Sequence, residues 1–244
     1  STNPITSLYW AYIDRGTYTK DALLMTTWNR IYVTTSPNSN PVWRLLKTDL
    51  KTNNQRFSFA SYQDQIIMTG NALTDPIFVY NVVNDTFRDL FNTTVNTDTV
   101  KIRAKYLISR DGYVLYANCL DIKDDLTGNV TYYGDRIYYT LKNQISSTTY
   151  SRFLGIHSDN GESIQSMTAK GSNNGTQIVV YKFSDIATVN YSILNLTSNE
   201  GDIVIDNVVE GFGVLSPYGI ANEGSFDIVP TEYGFIFFDG GQKN

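Results

Sequence analysis

Apolar side chains in this chain gather in short runs and show almost no recurrence at the three- and four-residue steps of a helix. Runs dense in Val, Ile, Tyr, Phe and Thr are separated by Gly, Asn, Asp, Ser and Pro, the way strands and turns alternate. The pattern predicts strands over Ala22–Thr27, Arg30–Thr35, Val42–Leu46, Gln65–Thr69, Ile77–Tyr80, Tyr113–Leu120, Arg136–Thr140, Gln177–Phe183, Ile186–Leu194, Asp202–Ile205 and Gly234–Phe238. RDG at Arg110–Gly112 and SNNG at Ser172–Gly175 fall between candidate strands. They read as hairpin turns, because Gly and Asn accept the left-handed backbone of a tight reversal. Helix is expected only in brief turns.

Two stretches share more than a single strand. RIYVTTSPNSNPVWRLL from Arg30 and QIIMTGNALTDPIFVYN from Gln65 align at an offset of 35 residues. Ile31, Val33 and Thr34 match Ile66, Met68 and Thr69, while Pro41, Val42 and Trp43 match Pro76, Ile77 and Phe78. Each unit is an apolar strand, a polar break, then a strand led by proline, which has no amide to donate and is tolerated at strand entry. Looser copies follow at RIYYT near Arg136, QIVVYKF near Gln177 and YGFIFFDG near Tyr233. A unit this small, built of strands alone, cannot cover both of its faces, so neighbours must stack on it. The expectation is one all-β domain over residues 1–244, a β-propeller of about five or six irregular blades. The N-terminal SLYWAYI is available as a closing strand. An irregular β-sandwich is the alternative.

Composition narrows the function. Hydrophobic residues make up 41% and charged residues 18%, with 18 Tyr and 12 Phe, which is a globular and aromatic-rich profile. The net charge of −5 provides no basic footprint for gripping nucleic acid. The single cysteine, Cys119, cannot form an internal disulfide and reads as a buried structural thiol. N-x-S/T triplets at Asn84, Asn92, Asn129, Asn174, Asn190 and Asn195 are what a chain rich in Asn, Ser and Thr produces by chance. No run approaches the ~18 apolar residues that span a bilayer, and the N-terminus has no signal-peptide pattern.

The second half carries an ordered series of motifs. RIYYT at Arg136–Thr140 is followed by NGESIQSM at Asn160–Met167, IVVYKF at Ile178–Phe183, GVLSPYGI at Gly213–Ile220 and FIFFDG at Phe235–Gly240. This order resembles the propeller region of nozzle or tail-tube-type tail proteins of short-tailed bacteriophages, and of related virion proteins of gut phages. The likeness runs from about Arg30 to Gly240, since YQDQIIMTGNALTDPIFVYN matches the unit of that family too. Gly219 stands where serine is usual, and Asn160-Gly161 where Asp-Gly is usual. The resemblance implies a building block of a virion and carries over no activity, cofactor or metal.

Candidate chemistry is sparse. His157, the one histidine, lies in GIHSDNGES beside Ser158 and Asp159, but adjacent residues do not assemble a catalytic triad, and a turn-lining imidazole is expected. DIKDDLTGN at Asp121–Asn129 offers oxygen ligands without an EF-hand spacing, so a solvated loop is expected instead of a calcium site. Turns at Ser109 and Ser158 only partly match the sialidase turn. Asp14, Asp111 and Glu232 are acids near strand ends, where a propeller glycosidase would need a facing pair. Trp10, Trp28 and Trp43 could stack on sugars, although aromatics in an all-β chain mostly pack sheets.

The expected protein is therefore a non-enzymatic structural component of a phage tail. It would be a rigid scaffold around or near the DNA exit channel, assembled in the host cytoplasm and resident in the virion. Its expected partners are other tail or portal-associated virion proteins and further copies in a homo-oligomeric ring. DNA would be passing cargo only, and no cofactor is expected. The alternative is a module that binds a host-surface glycan or receptor, with a glycoside hydrolase ranked last.

Overall fold

The computed structural model describes residues 4–38, 40–51, 55–91, 101–124, 129–145, 152–172, 175–192 and 202–240. They form five small antiparallel sheets in chain order. The first holds β1 (Ile5–Asp14), β2 (Thr19–Thr27), β3 (Arg30–Thr34) and β4 (Arg44–Lys47). The second holds β5 (Phe57–Tyr62), β6 (Gln65–Gly70), β7 (Phe78–Asn81) and β8 (Thr86–Asp89). The third holds β9 (Lys101–Arg110), β10 (Tyr113–Asp124), β11 (Asn129–Tyr139) and β12 (Phe153–Gly155). The fourth holds β13 (Ser166–Ser172), β14 (Gly175–Tyr181), β15 (Asp185–Ser192) and β16 (Asp202–Glu210). The last has three strands among the described residues, β17 (Ala221–Asn222), β18 (Asp227–Thr231) and β19 (Gly234–Phe238), in that order. The single helical element among the described residues is a 3₁₀ turn at Ser158–Asn160.

Local chemistry explains the hairpins. Between β9 and β10, Arg110 pairs with Tyr113. The two residues between them, Asp111 (φ 51°) and Gly112 (φ 84°), take the left-handed geometry that matches the twist of the strands. Ser172 pairs with Gly175, where SNNG predicts a reversal. Strands with a neighbour on both faces lose the polar alternation and read as continuous apolar runs. Ile66, Ile67 and Met68 are all fully buried, as are Phe78, Tyr80 and Ile178–Tyr181.

The sheets stack through four buried clusters, one at each junction between consecutive sheets. Leu24, Val33, Ile66 and Phe78 join the first sheet to the second, and Ile67, Val79, Val114 and Tyr116 the second to the third. Leu115, Ile137, Ile178 and Val189 join the third to the fourth, and Val179, Tyr181, Val229 and Phe238 the fourth to the last. The leading strands β1, β5, β9 and β13 touch in succession, which puts them on the inside of the arc. This is propeller architecture.

Several expectations shift. The aligned 35-residue units are one strand out of phase: Arg30 opens β3, the third strand of its sheet, whereas Gln65 opens β6, the second of its own. The shared pattern marks a hairpin, and each sheet contains more than one. SLYWAYI lies within β1 of the first sheet and pairs with β2 from Ser7–Thr26 to Ile13–Lys20, so it is a strand of the first sheet and not of the last. β4 starts at Arg44, not Val42, whose side chain is 81% exposed. The run predicted as a solvated acidic loop begins instead as the end of β10. Asp121 is buried there and accepts from Tyr138, while residues 125–128 lie outside those described.

Candidate functional site

The inside of the arc is crossed by the linker from the fourth sheet to the last. Gly213 passes so close to the Phe183 carbonyl that a Cβ there would fall 1.9 Å from its oxygen, so glycine is required. Val214 then donates its amide to the Lys182 carbonyl at 2.8 Å. Further along, Tyr218 reaches the second sheet, where Asn71 Nδ2 donates to its hydroxyl at 2.6 Å. The Arg56 guanidinium stacks over the Tyr218 ring at 4.3 Å.

His157 lies outside the apolar clusters, in a cluster of charges between the third and fourth sheets. Its backbone is left-handed (φ 46°, ψ 57°). Its Nδ1 is 2.7 Å from Oδ2 of buried Asp185, which also accepts from the Asn160 amide. Its Nε2 faces Asp159 at 3.2 Å and Glu210 at 3.7 Å. The hydrogen bond to Asp185 raises the imidazole above its ordinary value, and the flanking carboxylates add to the effect. Lys182 is fully buried beneath it, donating to the carbonyls of Ile156 (3.1 Å) and His157 (2.9 Å) and to Asn160 Oδ1 (2.5 Å). Burial lowers the Lys182 ammonium, with Asp185 and Glu162 opposing that shift.

A hydrolytic triad needs a nucleophile on Nε2, and here that nitrogen faces two carboxylates. The acidic partner that matters is Asp185, distant in sequence, and not the adjacent Asp159. The cluster pins residues 156–162 to the turn between β14 and β15. A second buried ion pair, Lys170–Asp227 at 3.4 Å, ties the fourth sheet to the last. Asp227 also accepts from Thr168 at 2.6 Å and from Tyr181, and Lys170 donates to the Phe238 carbonyl.

The remaining candidates are scattered. Cys119 is buried on β10 with its thiol pushed well up by desolvation, an inert state. Asp14 ends β1 and accepts the Gly16 amide, and Asp111 occupies the β9–β10 turn. Glu232 sits in the β18–β19 turn, at the opposite end of the sheets, because first and second turns of a sheet alternate ends. An open polar depression of about 450 Å³ among the first hairpin turns of the first three sheets is flanked by Arg15 and Arg110 and has Asp111 as its single carboxylate. Among the described residues no group of three or more His, Cys, Asp or Glu is arranged to hold a metal. Asn92, Asn174 and Asn195 lie outside the described residues; Asn84 is exposed, and Asn129 and Asn190 are strand residues.

The three tryptophans all belong to the first sheet region, and Trp10 leads to the surface that sequence reasoning missed. The face of that sheet turned away from the second carries a cross-strand row, Leu8–Met25–Tyr32–Leu45, next to the pair Trp10–Leu23. Leu8, Trp10 and Tyr12 are 58%, 62% and 61% exposed. On the last sheet, the outward pairs are Ile228–Phe237 and Pro230–Phe235, with both Phe rings more than 70% exposed. No buried cluster among the described residues joins these two faces. Contiguous apolar faces of this kind mark interaction surfaces. The signal in the sequence is a strand with large apolar residues on both faces, as in SLYWAYI and GFIFF.

The comparisons agree with the architecture. No family model matches the chain, and no curated protein matches its sequence. Among solved structures it is similar to BBS1N, crystallised in complex with ARL6DN, at TM-score 0.53 and 10% identity, matching 99% of this chain and 67% of that one. It is also similar to the Dos1 propeller at TM-score 0.51 and 13% identity, matching 96% of this chain and 54% of that one. The chain thus spans about half the length of the Dos1 propeller chain. At such identity the likeness establishes the fold, an all-β propeller, and nothing about activity or partners.

Proposed function

We propose that this protein is a structural propeller of a phage tail assembly, working through shape and surface complementarity and not through a reactive centre. The observation that carries the scaffold reading is the pair of exposed apolar sheet faces, which are costly to leave in water and suit contact with other proteins. The tail context rests on the motif order, and the motif residues have architectural roles. Arg136 lies between the rings of Tyr133 (3.5 Å) and Phe153 (3.8 Å) and donates to Tyr138 at 2.9 Å. Lys182 braces the fourth sheet, and Gly213 admits the linker. With Tyr218 across the centre of one molecule, passing DNA would run through a ring of copies. An acidic lining there would avoid the counterion release that makes basic surfaces adhere to phosphate.

Immunogold labelling of purified phage particles with an antibody against this chain tests the reading. Label at the tail supports it, and particles that carry no label while the chain accumulates free in the infected cell overturn it.

A further inference from the structure

Consecutive sheets meet in chain order through buried apolar clusters. Apolar contact has no direction, and packed sheets accommodate a range of crossing angles, so these junctions by themselves leave the curvature of the arc soft. The Tyr218 contact skips that order: it leaves the linker between the fourth and last sheets and grips the second. We propose that Tyr218 is a strut that sets the curvature of the arc, holding the second sheet at a fixed span from the junction of the fourth and last.

The base of the strut is rigid. Ser216-Pro217-Tyr218-Gly219 is a β-turn closed by the Gly219 amide on the Ser216 carbonyl at 3.0 Å. Serine first, proline second and glycine fourth are residues such a turn favours, and proline fixes its own φ. Just before the turn, buried Val214 donates to the carbonyl of Lys182 next to β14, and Leu215 donates to the Pro230 carbonyl of β18 at 3.0 Å. The chain is tied in this way to both sheets of the junction. A Cβ on Gly219 would fall 2.7 Å from the Pro230 ring, and one on Gly213 would strike the Phe183 carbonyl, so neither tie has room to slide.

The receiving end is equally fixed. Arg56 and Asn71 form the rung beyond the Phe57–Gly70 pair of β5 and β6, with the Asn71 amide on the Arg56 carbonyl at 3.0 Å. Buried Gln55 backs them by accepting the Ala72 amide at 3.2 Å. The Asn71–Tyr218 hydrogen bond fixes a distance and a direction, and the stacked Arg56 guanidinium fixes the plane of the ring. Tyr218 is 44% exposed, so it buries little area and acts on geometry more than on stability. The inference rests on the scaffold reading and adds which residue fixes the shape of the scaffold.

Distance measurements between two spin labels test it. Cys119 is buried, so labels attach to cysteines introduced at exposed Thr86 in β8 of the second sheet and exposed Glu232 in the β18–β19 turn. With Tyr218 intact, one narrow distance is expected. Tyr218→Ala is expected to broaden it and shift it to longer spans. Arg56→Ala is expected to do the same from the other end, and the two together to add nothing beyond either alone. Tyr218→Phe keeps the stack, loses the hydrogen bond and is expected to fall between. Tyr12→Ala removes another exposed tyrosine and is expected to leave the distance unchanged. Each variant is checked for an unchanged circular dichroism spectrum; should Tyr218→Ala misfold, Arg56→Ala and Asn71→Ala pose the same question. A broad distribution in the parent, a distance indifferent to Tyr218→Ala and Arg56→Ala, or an equal shift in Tyr12→Ala would each overturn the proposal. A chain whose span depends on Tyr218 but is missing from particles defeats only the tail reading. A chain that labels tails with a span indifferent to Tyr218 defeats only the strut.

Discussion

The second and fourth sheets occupy equivalent places, each covered on both faces, yet they hold their neighbours by different chemistry. In the second, Ile66, Ile67, Met68, Phe78 and Val79 make the contacts; buried Asp75 is met by the Gln55 amide and not by a cation, and the ion pair the sheet makes with the first is the half-exposed Arg15–Asp64 contact at 2.9 Å. The fourth has an apolar centre in Ile178–Tyr181 but is fastened at its two sides by His157–Asp185, with Lys182 on the Ile156 and His157 carbonyls, and by Lys170–Asp227. An apolar junction degrades gradually as atoms are removed. An ionic one is all or nothing, because removing one partner leaves the other charged and buried.

The sharpest way to break that comparison is Asp227→Ala. It strands Lys170 and the Tyr181 hydroxyl, and the expected loss is about 3–5 kcal/mol, read from the urea midpoint. The double change Lys170→Met with Asp227→Leu is expected to recover most of that, since an apolar pair of similar volume needs no counter-charge. In the second sheet, Ile66→Ala is expected to cost about 3 kcal/mol through a cavity alone. Thr69→Val removes the hydroxyl that donates to the Ala104 carbonyl at 2.5 Å and is expected to cost about 1–2 kcal/mol.

Acidity should separate the two sheets further. The folded His157 value lies above the unfolded one of about 6.5, so its stabilisation is complete below that pH and is lost as pH rises through the higher folded value. The thermal midpoint should therefore fall between about pH 6 and 8 in the wild type, and that part of the fall should vanish in His157→Asn. The smallest effect belongs to the second sheet's rim. Arg15→Ala is expected to leave the urea midpoint almost where it is in the wild type, because both partners of its ion pair are a third or more exposed and solvent screens them. A large loss there would mean that the rim contributes more than solvent screening allows.

The same contrast explains what could be read in advance. Strands such as Gln65–Thr69 and Gly234–Phe238 were legible because burial writes apolar runs and turns write Gly, Asn and Asp. β5, β9 and β13 were missed, since Ser58, Lys105 and Lys170 interrupt their apolar pattern. Lys170 and Lys182 look like surface residues in sequence; their carbonyl and carboxylate partners arrive from segments far along the chain. His157 likewise gains its acid, Asp185, only when the third and fourth sheets meet.

The sequence by itself determined that the chain is all-β, that hairpins repeat along it and that neighbouring sheets must stack, because these follow from the local alternation of side chains and from turn chemistry. Which hairpin belongs to which sheet, which charges are buried and which apolar faces remain exposed were decided by tertiary structure alone. Those outcomes depend on contacts between distant segments, and a short pattern such as the one shared by Arg30 and Gln65 is satisfied equally well at either position in a sheet.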